Sequence, residues 1–216
     1  MEDEVSGDGL SELWDVVRDG DRAAIEALLV GDEEHPPLGC PIDVMDDAGM
    51  TPLHWLAVEG HQGVVQWLVD EVGAELSLGD RRYGQTALHF AACKDHGRTA
   101  QALLDLGADV MCRDAAGWTP LHVAARACAI DVASVLLGAL PTDRIDVCGP
   151  GQQTPLHRAA FWGHTEVVTL LLQGGASRAA VDNRGRTPFD IVCDSGDRRG
   201  ELPALQKALR PPAPTY

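Results

Sequence analysis

Apolar residues between positions 154 and 175 fall on two short helical faces. Leu156, Ala159 and Ala160 share one side of a first helix, and the small alanines let neighbouring helices approach. Val167, Val168, Leu170, Leu171 and Leu172 give a second helix a broad apolar face. Gly163 separates the two, and Gly174 and Gly175 close the pair. Thr154 suits the N-cap, where its hydroxyl accepts from an orphan helix N–H. Pro155 then takes the first helical position, where its missing N–H costs nothing. Residues 176–185 read as an extended hairpin leading to Thr187.

The same alternation fits 46–75, 81–109 and 119–140, with Leu140 and Pro141 replacing the closing Gly-Ala in the last of these. Each unit opens on one short word: Thr51-Pro52-Leu53-His54, Thr86-Ala87-Leu88-His89, Thr119-Pro120-Leu121-His122 and Thr154-Pro155-Leu156-His157. A degenerate copy follows at Thr187-Pro188-Phe189-Asp190. The threonines are 35, 33, 35 and 33 residues apart. A period in this range means supersecondary units that bury their apolar faces by stacking on one another. The end units should differ, because each needs one polar face. Residues 11–18 and 21–30 predict two helices with acid-rich caps, 31–41 a longer proline-containing connection, and 187–193 with 201–210 a closing pair. The chain therefore divides into an acidic, disordered 1–9, a repeat domain over 10–210, and a disordered tail at 211–216. The repeat domain has units 10–45, 46–80, 81–113, 114–148, 149–181 and 182–210.

These features resemble the ankyrin-repeat family over about residues 10–210. Three perfect T-P-L-H words, one T-A-L-H, the Gly60-His61 and Gly163-His164 steps and the Gly107-Ala108 and Gly175-Ala176 turns carry the resemblance. It implies an all-α solenoid: a left-handed stack of helix-turn-helix units with projecting β-hairpin loops and a concave face that binds other proteins. Family members of this size include kinase inhibitors, transcription-factor inhibitors and proteasome-assembly chaperones, and nothing in these residues selects among them.

Charge sharpens the picture. Residues 1–50 hold 15 acids against two arginines, whereas 51–216 hold 18 acids against 15 basic residues. The acidic end reads either as a solvated face or as a docking patch for a basic segment. A pI near 4.7 argues against non-specific nucleic-acid binding, which needs phosphate-neutralising cations. The six cysteines form no C-x-x-C pair and match neither a disulfide framework nor a zinc ribbon, so reduced thiols in the cytoplasm or nucleus are expected. No apolar run of membrane-spanning length occurs.

Candidate chemistry is sparse. His54, His89, His122 and His157 recur one per unit, at the third helical position, where a histidine can bond to the capping threonine. Cys93 and His96 supply two zinc ligands with no second pair behind them. No phosphate loop, nucleophile elbow or metalloprotease motif appears, so no enzyme, metal or cofactor is expected. At the hairpin positions where many family members carry a hydroxylatable Asn, this chain has Asp43, Ser77, Met111, Asp146 and Ala179. Loss of that local bond predicts less rigid hairpins. Residues 140–153 depart most from the pattern, and read as a tolerated insertion, or as a bulge that changes the curvature of the stack or forms a specific contact.

The resemblance places partner contacts at hairpin tips and at the ends of first helices. Carried over position by position, these include Met50, Glu59, Arg82, Tyr83, Gln85, Lys94, Trp118, Arg126, Gln153, Phe161, Trp162, Arg184 and Arg186. Tyr83, Trp118, Phe161 and Trp162 are four of ten aromatics in the chain, and they fall there beside several arginines, the residue types enriched in binding hot spots. Packing between helices is the competing role for Phe161 and Trp162. Trp55 and Trp67 are expected in the core or lining the groove, and Trp14 plugging the first helix pair. The expected function is a monomeric, non-enzymatic adaptor or inhibitor whose partner carries acidic and apolar groups. An assembly chaperone or a subunit of a larger intracellular complex is the alternative.

Overall fold

The computed structural model describes residues 7–29, 31, 41–195 and 202–210. Twelve α-helices stand in chain order among these residues. They are α1 (Gly7–Asp19), α2 (Arg22–Leu29), α3 (Pro52–Glu59), α4 (Gln62–Asp70), α5 (Ala87–Lys94), α6 (Gly97–Asp105), α7 (Pro120–Ala127), α8 (Ile130–Ala139), α9 (Pro155–Trp162), α10 (Thr165–Gln173), α11 (Pro188–Ser195) and α12 (Leu202–Leu209). α1 begins at Gly7, ahead of the boundary expected at residue 10. Residues 1–6, most of the 31–41 connection and the tail from 211 lie outside the described residues.

The helices form two columns. α1, α3, α5, α7, α9 and α11 contact one another in succession, and so do α4, α6, α8, α10 and α12. Repetition in the core explains the stacking. The second residue after each capping threonine is Leu53, Leu88, Leu121 or Leu156, all essentially without solvent contact. Burying a leucine contributes about 1.5–3 kcal/mol. Ala91, Ala92, Ala124, Ala125, Ala159 and Ala160 are equally buried, and their small side chains bring successive first helices close. From the second column Val65, Leu68, Leu103, Val132, Leu136, Val168 and Leu171 complete one continuous core.

The left-handed turn between the two helices of a unit is made by Gly60, Asp95, Cys128 or Gly163. At Gly60 two constraints meet. Its φ is 81°, and a Cβ there would come within 2.7 Å of the His96 ring. That ring donates from Nε2 to the Val58 carbonyl at 2.8 Å, and so ties α6 to the end of α3. His61 and His164 make the equivalent bonds to the carbonyls of Arg18 and Arg126. Ala129 breaks the series, and there the Asp95 carboxylate accepts from the Val132 N–H at 3.0 Å instead.

The connections between units are turns rather than paired strands, and among the described residues there is no strand. They are nonetheless well tied. Asp43 accepts from the Glu75 N–H, and both oxygens of Asp146 accept from the Ser177 N–H, each reaching into the following unit. The expectation of looser hairpins is corrected at these two positions: the carboxylate replaces a local bond with one between repeats.

Candidate functional site

Each motif word closes a capping box that also fixes the neighbouring hairpin. The backbone N–H groups of Thr51, Thr86, Thr119 and Thr154 donate to Nδ1 of His54, His89, His122 and His157 at 2.9–3.3 Å. Nδ1 is therefore unprotonated, and the proton sits on Nε2. From there the four rings donate across repeats, at 3.0–3.1 Å, to the carbonyls of Leu78, Trp118, Gln153 and Arg186. Burial lowers the pKa of all four. It is the first cause at His122, where the charges of Arg113 and Arg158 add to it and the value falls to about 4. Both nitrogens of each ring are thus engaged in scaffold bonds. In the last unit the Asp190 carboxylate takes the same place, accepting from the Thr187 N–H and hydroxyl.

A second acid organises each regular hairpin. Asp80 accepts from the N–H groups of Arg82, Tyr83 and Gln85; Asp114 from those of Ala116 and Trp118; Asp182 from those of Arg184 and Arg186. Successive tips are then joined by a backbone bond, from Arg81 to Gly49, from Ala115 to Tyr83 and from Asn183 to Gly151. The joint between the third and fourth hairpins differs. Gly149 stands where the others have the acid, and Pro150, at the donor position, has no N–H. The Arg113 guanidinium fills the gap, donating to the Gly117 carbonyl at 2.7 Å and the Cys148 carbonyl at 3.1 Å. Two single-turn 3-10 segments, Thr142–Arg144 and Pro150–Gln152, carry the chain through this joint. A Cβ on Gly149 would lie 2.6 Å from the Trp118 ring, so the missing side chain is what lets that indole settle.

Trp118 is the centre of a groove, a cavity of about 620 Å³ between the second and third hairpins and the helices α7 and α9. Its ring meets His122 edge-on, with centroids 5.2 Å apart, and carries the Arg158 guanidinium 4.4 Å above it. Arg82 lies over the exposed Tyr83 ring at 5.0 Å, both lining the same groove. Gln85 reaches the Asp114 carboxylate, and Arg126 completes the rim. Of the positions expected from sequence, Arg82, Tyr83, Gln85, Trp118 and Arg126 come together here. Arg158, which was not expected, joins them. It sits four residues after its threonine, in register with Trp55, Phe90 and Val123 of the preceding units. The i+3 and i+4 spacing from Arg158 to Phe161 and Trp162 places it on their helix face, and that is the signal that could have found it.

The remaining positions scatter. Phe161 and Trp162 pack edge-to-face at 5.5 Å, with Trp162 38% exposed, outside the lining of this groove. Glu59, Lys94 and Arg184 are exposed singly, and Gln153 is half-buried with its carbonyl held by His122. Two positions offer little to a partner, contrary to expectation. Met50 is 9% exposed. The Arg186 guanidinium is held 2.8 Å from Asp182 and 3.6 Å from Asp194, an acidic pairing within its own unit. His96 bonds to Val58, so the Cys93–His96 spacing has a structural use, and Cys93 is exposed.

A comparable groove of about 600 Å³ lies at the acidic end, lined by Trp14, Arg18, Asp46, Asp47 and Trp55. There the Trp55 indole donates to Asp46 at 2.8 Å, and Arg18 lies 4.7 Å above the Trp55 ring while pairing with Asp15 at 3.2 Å. Trp67 is buried in the core, with Arg22 over its ring.

Comparison with known proteins agrees with this architecture. A family profile of three ankyrin repeats matches residues 13–114 and 83–148, and a single ankyrin repeat matches 151–183. The chain is 33% identical over 159 residues to a Caenorhabditis elegans homologue of the transient receptor potential cation channel subfamily A member 1. That match covers 73% of this chain but 13% of the channel homologue. It is 31% identical over 151 residues to the probable 26S proteasome regulatory subunit p28 of Saccharomyces cerevisiae, covering 69% of this chain and 66% of that protein. A chain in the solved structure of a Bdellovibrio bacteriovorus predatory endopeptidase in complex with immunity protein Bd3460 superposes with a TM-score of 0.73. It is 24% identical, over 92% of this chain and 96% of that one, a likeness of fold. No described helix is long and apolar enough to cross a membrane. With the repeated capping boxes, the two-column stack and the profile matches in agreement, the chain belongs to the ankyrin-repeat family, whose repeats are non-catalytic modules for binding proteins.

Proposed function

We propose that this protein is an adaptor or inhibitor that occupies a partner protein through the groove centred on Trp118. The observation that carries the reading is a contrast of pairing. Arg82, Arg126 and Arg158 surround a half-buried indole and an exposed tyrosine, and among the described residues none of these guanidinium groups has a carboxylate within 4.0 Å. Rigid aromatics with arginines around a concavity form the common core of protein-binding hot spots. Among the described residues, large exposed apolar side chains are few and spread over three repeats: Tyr83, Ile130, and Trp162 with Val181. That supports an adaptor that is soluble alone over an obligate subunit, which buries a contiguous apolar patch. The resemblance to the yeast proteasome regulatory subunit supports the second reading, a component or assembly factor of a larger complex.

Affinity capture from cell extract tests the reading, with the wild type compared against a Trp118→Ala, Trp162→Ala double variant of unchanged circular dichroism. The expected result is loss of the captured partner with the variant. A partner retained at equal yield would assign recognition to another face.

A further inference from the structure

Among the cavities, exposed cysteines and charged patches of the molecule, the central groove holds a feature its scaffold does not explain. Arg126 and Arg158 come from successive first helices, α7 and α9, and face one cavity. Like charges brought together by folding are unfavourable. Burial, and after it the charge of Arg126, lower the pKa of Arg158. Among the described residues, neither guanidinium has a hydrogen-bond acceptor or a carboxylate partner. Arg158 is nevertheless positioned, half-buried with its guanidinium carbon 4.4 Å from the centre of the Trp118 ring. A fork held in place by stacking loses little freedom when an anion arrives.

We infer that the Arg126–Arg158 pair is a receptor for a side-chain carboxylate on an extended acidic segment of the partner, with an apolar neighbour of that acid resting against Tyr83. The inference rests on the reading of this groove as the partner face. Charge complementarity defines the occupant, and the donor set narrows it. The groove offers planar guanidinium forks, which match the two oxygens of a carboxylate. A phosphate would call for further converging donors. The nearby backbone N–H groups of Ala116 and Trp118 are already held by Asp114, whose own carboxylate lines the cavity and opposes a dianion.

The test uses the full chain, isotopically labelled, and three capped pentapeptides: one with two glutamates around a leucine, one with glutamines in their place, and one with phosphoserines. The Trp118 indole N–H and Arg158 Nε–H resonances report the site, and the Trp55 indole in the acidic groove is the internal control. Saturable shifts of both reporters are expected with the glutamate peptide, at least tenfold weaker with the glutamine peptide. Trp55 should stay unmoved. Arg158→Met, which keeps a long side chain against Trp118, should weaken glutamate-peptide binding at least tenfold. Equal response to glutamate and glutamine peptides, no saturable shift at millimolar peptide, or unchanged binding in Arg158→Met would each overturn the inference. Phosphoserine binding tenfold tighter than glutamate would overturn it in favour of a phosphopeptide. A wild-type dimer that Arg158→Met dissociates would overturn it in favour of a second copy of this chain. The two readings fail separately. Loss of partner capture in the double Trp variant without any glutamate-peptide shift removes the carboxylate and keeps the face. A peptide shift with undiminished capture keeps the receptor and removes the face.

Discussion

The acidic and central grooves are built from like residues yet are left in different electrostatic states. Both set a tryptophan against an arginine between a hairpin and the first-helix column, in cavities of nearly equal size. In the acidic groove the arginine and the central indole have partners within the chain: Trp55 with Asp46, Arg18 with Asp15, and nearby Arg22 with Glu71 at 3.4 Å. In the central groove Trp118 and Arg158 stack, but among the described residues Arg82, Arg126 and Arg158 have no carboxylate within 4.0 Å. A repeat scaffold thus specifies where side chains project, and the pairing of those side chains within the chain decides whether a given groove is closed structure or an open site. Counting aromatics and arginines cannot separate the two, since both grooves contain them.

The largest effect that tests this difference is in acid. All four motif histidines are buried as neutral rings, with pKa values below the unfolded 6.5, so the unfolded chain binds more protons once the pH falls through 6.5. Stability should be complete above that value and decline below it. His122, whose pKa falls to about 4, accounts for about 3 kcal/mol of the loss between those limits. The grooves should differ in order of titration. His122 faces the cations Arg113 and Arg158, whereas His54 feels Asp80, Asp43 and Asp46, which raise its pKa against the effect of burial. Urea unfolding between pH 7 and pH 4.5, with ring resonances followed by NMR, checks both statements. Stability that stays flat over that range, or His122 protonating before His54, would count against the contrast.

Next in size is Trp55→Ala. Removing the indole takes away the partner of Asp46 and the platform under Arg18, and should lower unfolding stability by about 2 kcal/mol with no effect on the central-groove peptide titration. A change in that titration would mean the grooves are coupled. A smaller effect is expected at Thr99, whose buried hydroxyl has no hydrogen-bond partner and whose counterparts are Val64, Val132 and Val167. Thr99→Val should stabilise the fold by about 1 kcal/mol at any salt concentration, because the orphan group is sealed inside a joint. Its sign separates an unsatisfied group with no access to a ligand from one that opens onto a cavity.

The scaffold was legible because its determinants are local. The cap, the first-turn proline and the motif histidine lie within four residues, and the inward leucines follow at helical spacing. The central groove was half legible. Tyr83, Trp118 and Arg126 occupy tips and helix ends that the family pattern singles out, but Arg158 lies one residue after a motif histidine and is masked by it. What empties Gly149 of a side chain is the Trp118 ring, 31 positions earlier, and no local pattern links the two. Nor does spacing distinguish Arg186, held by Asp182 and Asp194, from Arg158, which is not. That difference is made in three dimensions by which acids fold back.

The smallest effect bears most directly on the contrast. Arg158→Met removes one of two like charges and keeps a polarisable side chain against Trp118. If the pair is a site held open at some expense to the fold, the variant should be more stable than wild type at low ionic strength, by about 0.5 kcal/mol once screening of a half-exposed pair is allowed for. In molar salt the gain should vanish, because repulsion between the guanidiniums is then screened. Arg18→Met in the acidic groove should move the other way, losing a few tenths of a kcal/mol at low salt through its pair with Asp15. Opposite signs for two arginines that both sit over tryptophans would show that packing is common to the grooves and that charge separates them. If Arg158→Met destabilises at every ionic strength, its stacking on Trp118 is structural, and the central groove is as self-contained as the acidic one.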